Sequence, residues 1–360
     1  MAHLFEPLPL RGIVLKNRIG VPPMCQYSAR DGIASDWHFV HYGSRAVGGA
    51  ALIIMEATAV AAEGRITLGD IGIWDERQVG PLARIASFAQ AQGCVVAVQL
   101  AHAGRKAGGV AGWLPQRTLG ADEGGWVGVA PSALAFAEGQ ALPHELTTSE
   151  IRQVVEQFGA GARRAREAGF QAVEVHAAHG FLLHQFLSPL SNLRSDAYGG
   201  SFSARTRLLR EVVAAVREQW PERLPLLVRL SATDWVDGGW DLESTVELSR
   251  GLGALGVDLV DVSSGGLVPT PAIEDGPGFQ TAFAARVRRE AGIATAAVGF
   301  ITAAEQADHV LRSGQADLVL VGREILRQPY WPLAAASALG QPADWPSQYL
   351  RAAPAGAVGR

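Results

Sequence analysis

The chain has 360 residues, 48% of them hydrophobic and 18% charged, which is enough apolar material for a large core and excludes a disordered chain. A formal net charge of −4, from 31 Lys and Arg against 35 Asp and Glu, lacks the basic excess of a nucleic-acid binder. Two cysteines, Cys25 and Cys94, are too few for a Cys-rich zinc site, an all-Cys iron–sulfur site or a disulfide framework. The start of the chain has neither the basic residues nor the apolar core of a signal peptide, and no run approaches the roughly 18 apolar residues of a membrane span. The expectation is a cytoplasmic α/β protein.

Short β-branched runs alternate with amphipathic stretches, the pattern of a parallel sheet built from βα units. The predicted strands are Arg18–Met24, Ala51–Ala57, Val95–Ala101, Ala172–Ala177, Leu224–Leu230, Asp258–Ser263, Ala294–Gly299 and Asp317–Gly322. Interiors such as Leu226-Leu227-Val228 read as covered on both faces. Helices are predicted over Ile151–Ala168, with a cap at Ser149, and over Arg207–Gln219, which stops before Pro221. Two more span Leu242–Leu255 and Ala303–Ser313, the latter with Thr302 as its cap. The expected architecture is a single (β/α)8 barrel over residues 1–340. Two stretches break the rhythm. Residues 102–147, rich in Gly, Pro and Trp, form an excursion after the third strand long enough to be a functional loop or lid. Residues 341–360, with Pro342, Pro346 and Pro354, are expected to form an extended C-terminal arm.

Barrel active sites gather at the C-terminal strand ends, so those ends filter the chain. They supply Pro22-Pro23-Met24-Cys25-Gln26-Tyr27, Glu56-Ala57-Thr58, Gln99 to His102, His176 to Gly180, Arg229 to Ser231, Ser263 to Gly266, Gly299 to Ile301 and Gly322-Arg323. His176 and His179 would point to opposite faces of a continuous strand, and they converge only if the chain leaves extended geometry, as Gly180 permits. Two converging imidazoles can stabilise negative charge developing on a substrate oxygen. Two structural histidines, or a metal pair with Glu174 nearby, are the rival readings. His38 and His41, on a helix, read as structural. Cys25 at the mouth is as open to a functional as to a buried reading, whereas Cys94 reads as structural. Gly299 and Gly322-Arg323 follow the seventh and eighth strands, where barrels commonly hold phosphate. No Gly-x-Gly-x-x-Gly follows a strand, so a Rossmann domain is not indicated.

Taken together, these residues resemble the old yellow enzyme family of flavin-dependent ene-reductases, in its thermophilic-like branch. The resemblance runs from Leu4-Phe5-Glu6-Pro7 to Arg351. It is carried by His176-Ala-Ala-His-Gly180, Phe186-Leu-Ser-Pro189, Asn192, Arg194, Asp196 and Tyr198-Gly-Gly-Ser201. Pro23 to Ser28, Glu56-Ala57-Thr58, Gln99 to Lys106 and Val321-Gly-Arg323 also match. The resemblance implies noncovalent FMN held by Pro22, Pro23, Met24, Cys25, Ala57, Gln99, Arg229, Gly322 and Arg323. Cys25 would tune the flavin, Gln99 would bond its pyrimidine edge and Arg229 would stabilise its anionic reduced form. NADPH or NADH would be the reductant and an enone the small-molecule acceptor. His176 and His179 would grip the acceptor's carbonyl, with Tyr27 assisting. The family also implies a homodimer or homotetramer, in which Arg351 of the arm reaches a neighbouring subunit's site. One residue departs from the pattern: Phe181 stands where the family has a proton-donating tyrosine, which leaves the substrate pocket without that phenol. The rivals are a phosphate-binding barrel aldolase or isomerase, disfavoured by the lack of a strand lysine, and a flavin-binding redox sensor with a degenerate site.

Overall fold

A computed structural model of the chain describes residues 3–356. Eight parallel strands close into a barrel, β1 (Ile19–Val21), β2 (Leu52–Ala59), β3 (Val95–Ala101), β4 (Ala172–Ala177), β5 (Leu226–Ser231), β6 (Leu259–Ser263), β7 (Ala294–Val298) and β8 (Leu318–Leu320). Each pairs with the next, and β8 pairs back to β1. All eight predicted strands are present. β1 is shorter than predicted because Pro22 and Pro23 have no N–H to extend the ladder. β2 runs on to Ala59 through a register irregularity at Glu56.

The helix Thr148–Glu167 begins at Thr147, not at the predicted cap Ser149. Thr147 Oγ1 accepts from the Glu150 N–H at 3.3 Å while the Glu150 carboxylate accepts from the Thr147 N–H at 2.7 Å, a reciprocal pair that Ser149, two residues later, is too close to Glu150 to make. Arg207–Gln219 is as predicted, and Leu242–Ala254 and Ala304–Arg312 each end a residue early. Thr302 is not a cap either: Ala303 holds that position without a side-chain bond, and the Thr302 N–H is taken by Gln306 Oε1 at 3.0 Å.

Strand alternation sorts the barrel interior into layers. Ala97, Ala172, Leu227 and Leu259 form an apolar lower layer, closed from below by Leu8, Leu10 and Leu15 of a short hairpin. β1 fits inside only because Gly20 has no side chain, since a Cβ there would lie 2.5 Å from Leu320 Cδ2. Two residues further along the strands the same faces carry Gln99, Glu174, Arg229 and Asp261, and beyond them His176, Ser231 and Ser263. The interior therefore turns from hydrocarbon to polar toward the C-terminal end. A second apolar core fills the space between strands and helices.

The excursion folds over the barrel with 3-10 turns and a two-stranded parallel pair, Val129–Ala130 with His144–Glu145. The tail is not simply extended. Ser347–Ala352 is a 3-10 helix, and Tyr349 packs on Tyr330 with ring centroids 6.0 Å apart. Among the described residues no helix is long and apolar enough to cross a membrane.

Candidate active site

The two histidines converge as the glycine suggested. β4 ends at Ala177, after which His179 (φ +58°) and Gly180 (φ +73°) turn the chain back. The rings of His176 and His179 meet edge to face, 5.2 Å between centroids. The turn is pinned from several sides. The His179 N–H donates to Ser231 Oγ at 2.9 Å, and Gly180 packs so tightly on Gly266 that a Cβ would lie 2.2 Å from the Gly266 carbonyl oxygen. His176 Nδ1 accepts the Ala178 N–H at 3.3 Å, which leaves its proton on Nε2. His179 Nε2 meets Ser263 Oγ at 2.7 Å. Burial first, and then the positive charge of Arg229, hold both imidazoles well below their usual pKa, so both are neutral at physiological pH. Neutral N–H donors in a buried site are suited to polarising a carbonyl without delivering a full charge.

One layer below lies a buried polar set. Gln99 Nε2 donates to Glu174 Oε1 at 2.8 Å, and Arg229 Nε faces Asp261 Oδ2 at 2.9 Å. Burial, with Asp261 adding to it, pushes Glu174 up to about 8. The terminal nitrogens of Arg229 make no hydrogen bond among the described residues, and neither does the Gln99 carbonyl oxygen. Donors and an acceptor left without protein partners here are free to take a polar ligand. His102, the third imidazole of the strand ends, is spent on the Gly104 N–H at 3.1 Å.

After β1 the segment Pro22 to Tyr27 lines the mouth with Cys25 half-buried and Tyr27 at φ +48°. The irregularity at Glu56 turns that carboxylate away from the barrel axis, where it accepts from Tyr42 Oη and from the Gln26 N–H, both at 2.8 Å. Burial lifts it to about 8. Burial, then Asp70 and Glu56, raise the Cys25 thiol well above its ordinary value, and burial raises the Tyr27 phenol. Both stay protonated. Ala57 follows on the inner run of β2 beside Gln99.

At the far side, Gly299 (φ +122°), Phe300, Gly322 and Arg323 line a cavity of about 160 Å³. The Arg323 guanidinium stacks on the Phe300 ring at 4.0 Å and is paired with no carboxylate among the described residues. A cation and open glycine backbone are what a phosphate requires.

Phe181 lies with His176, ring centroids 4.8 Å apart, and lines a cavity of about 310 Å³ together with Tyr27. Three other wall residues, Arg105, Lys106 and Phe136, come from the excursion and were given no role from the sequence. Arg105 and Lys106 close the matching stretch Gln99 to Lys106, whereas Phe136 carried no signal. His184 and Asp234, behind the histidine turn, were missed as well, although His184 lies between two noted motifs, His176 to Gly180 and Phe186 to Pro189. Arg351 is exposed on the Ser347–Ala352 turn and does not line this cavity in its own chain. His38, His41 and Cys94 are buried, as a structural role requires.

Comparison with known proteins bears on this arrangement. Residues 3–341 match a family model described as the NADH:flavin oxidoreductase / NADH oxidase family. An NADPH dehydrogenase of Geobacillus sp. (strain WCH70) is 47% identical over 97% of this chain and 98% of its own length. Among solved structures, morphinone reductase in complex with tetrahydroNAD superposes with a TM-score of 0.78 at 28% identity, covering 100% of this chain and 95% of its own. The old yellow enzyme homologue from Zymomonas mobilis gives a TM-score of 0.78 at 25% identity, with 95% and 94% coverage.

Proposed function

The chain belongs to the NADH:flavin oxidoreductase / NADH oxidase family, the old yellow enzymes, and from that premise we propose that it is an FMN-dependent ene-reductase of the thermophilic-like branch. It is a flavoprotein oxidoreductase that uses NAD(P)H. The finer reading is that it reduces the activated C=C bond of α,β-unsaturated carbonyl compounds. The observation that carries it is the convergence of two neutral imidazoles, His176 and His179, above a barrel layer with unpartnered polar groups.

The residues fit noncovalent FMN. Gln99 and Arg229 offer the free acceptor and donors that a flavin ring edge needs, and Pro22, Pro23, Met24, Cys25 and Ala57, on the neighbouring β1 and β2 ends, would hold the ring. Gly299, Gly322 and Arg323 offer a phosphate end. When bound, FMN would supply the redox chemistry that links hydride from the reduced nicotinamide to the β-carbon of the acceptor. The chain's own residues do the rest. His176, and His179 on release from Ser263, hold the carbonyl oxygen and stabilise the enolate charge that develops there. Tyr27 and Phe181 enclose the acceptor, and with no phenol at position 181 the α-carbon is protonated from Tyr27 or water. Arg229 sets positive charge beneath the mouth. In the assembly, a homodimer or homotetramer, the 341–360 arm contributes Arg351 to a neighbour's pocket.

The test is spectroscopic. The purified protein should be yellow, release FMN on denaturation, bleach with NADPH under anaerobic conditions and recover colour with an enone. A colourless protein that takes up no added FMN overturns the reading.

A further inference from the structure

We propose that the cavity beside Phe181 contains an anion subsite, in which Arg105 and Lys106 bind a carboxylate or phosphate carried by one of the two substrates. This rests on the reading above, in which the acceptor is held at His176 and His179, and on the reductant using the same mouth in turn.

The cavity wall includes Arg105, Lys106 and Arg117 but no Asp or Glu. Arg117 is neutralised by Glu123, whose two oxygens it meets at 2.6 Å. Among the described residues the other two cations have no such partner. Lys106 Nζ donates to two backbone carbonyls, of His179 at 2.9 Å and Gly266 at 3.1 Å, and an ammonium has a third N–H to give. The Arg105 guanidinium donates to the Leu267 carbonyl at 2.9 Å and makes longer contacts, 3.4 and 3.5 Å, to those of Leu134 and Ala135. Its Nε is buried without a partner. Both cations flank the face of Phe136, at 4.6 Å for Lys106 and 5.8 Å for Arg105.

Backbone carbonyls satisfy geometry but not charge. Two adjacent, largely buried cations repel one another, and burying them without a counterion is costly. Burial, and then Arg105, bring the Lys106 ammonium down to about 8. If these side chains served only to tie loops together, neutral donors would do so at less cost. An incoming anion relieves the repulsion and gains charge-assisted hydrogen bonds. The ligand it selects is therefore one whose reacting group lies at the histidines and whose charge lies toward the excursion.

Two sources of that anion are separated by the two half-reactions, followed by stopped flow on the holoenzyme. In one arm N-(2-carboxyethyl)maleimide is compared with neutral N-propylmaleimide as acceptor. In the other NADPH is compared with 1-benzyl-1,4-dihydronicotinamide, which has no phosphate. In at least one arm the anionic partner should be favoured by about tenfold or more at low salt, and Lys106→Met should cut that ratio by about tenfold. The arm that responds names the source. Should the variant not fold, the parent protein's anionic preference should still fall as salt is raised. A preference below about twofold in both arms, or one unmoved by salt and by Lys106→Met, overturns the subsite. Failure of the ene-reductase reading looks different: neither maleimide would reoxidise the flavin.

Discussion

His184 and Asp234 form a fully buried pair, Nε2 to Oδ1 at 2.9 Å, and the other ring nitrogen of His184 accepts the Gly180 N–H at 2.9 Å. A carboxylate from the loop after β5 thereby fixes, through one imidazole, the turn that presents His179. Asp234 also accepts from Ser188 Oγ at 2.6 Å and from the Trp240 N–H at 2.7 Å. Burial alone would raise its pKa, but His184, Ser188 and the Trp240 N–H outweigh it and hold the carboxyl below its usual value. Breaking such a buried pair costs about 3–5 kcal/mol, so Asp234→Asn should melt well below the parent protein at pH 7. A depressed carboxyl stabilises the fold above its unfolded pKa of about 3.9 and loses that contribution as pH falls through the lower folded value. The gap in melting temperature between parent and variant should therefore narrow toward pH 3. An equal gap at both pH values would mean that the ionised Asp234 carboxylate is not the source.

Phe181 keeps the ring that packs on His176 but has no proton to give. General acids contribute roughly 10²–10⁴-fold, so Phe181→Tyr should speed flavin reoxidation by weakly activated enones within that range. Maleimides, whose enolates are already well stabilised, should respond least. Reduction by NADPH should change little. Stopped-flow comparison of the two half-reactions checks this, and equal reoxidation rates across all acceptors would show that position 181 does not limit turnover.

Much of this site was legible because barrel geometry converts sequence position into place. Buried parallel strands read as continuous apolar runs, and every strand end then lies at one rim, so Cys25, Gln99, His176, Arg229 and Gly322 could be picked out before any coordinates. Boundaries were harder. Thr147 and Ser149 are both good caps, and only the reciprocal bonds with Glu150 distinguish them. The layer partners of Arg229 and Gln99, namely Asp261 and Glu174, depend on strand register, which no local pattern specifies. Arg105, Lys106 and Phe136 were illegible as a group because the excursion has no period, and their meeting depends on how that loop folds back. His184 and Asp234 are brought together from separate βα units by tertiary packing alone.

The tail gives a further prediction. Tyr349 rests on Tyr330 of its own chain while Leu350 and Arg351 are exposed. A chain lacking residues 341–360 should retain bound FMN but lose turnover of enone or NADPH, with sedimentation reporting a smaller assembly. A truncated monomer with full activity would rule out a shared site.

The central claim is that hydride travels from the nicotinamide to the β-carbon of an acceptor held by His176 and His179. It is tested most directly with NADPH deuterated at the transferable C4 position and an unlabelled enone in ordinary water. The saturated product should carry one deuterium at the β-carbon, and the new hydrogen at the α-carbon should come from solvent. Product without deuterium, product labelled at the α-carbon, or no saturated product from a protein that NADPH reduces, would contradict the account.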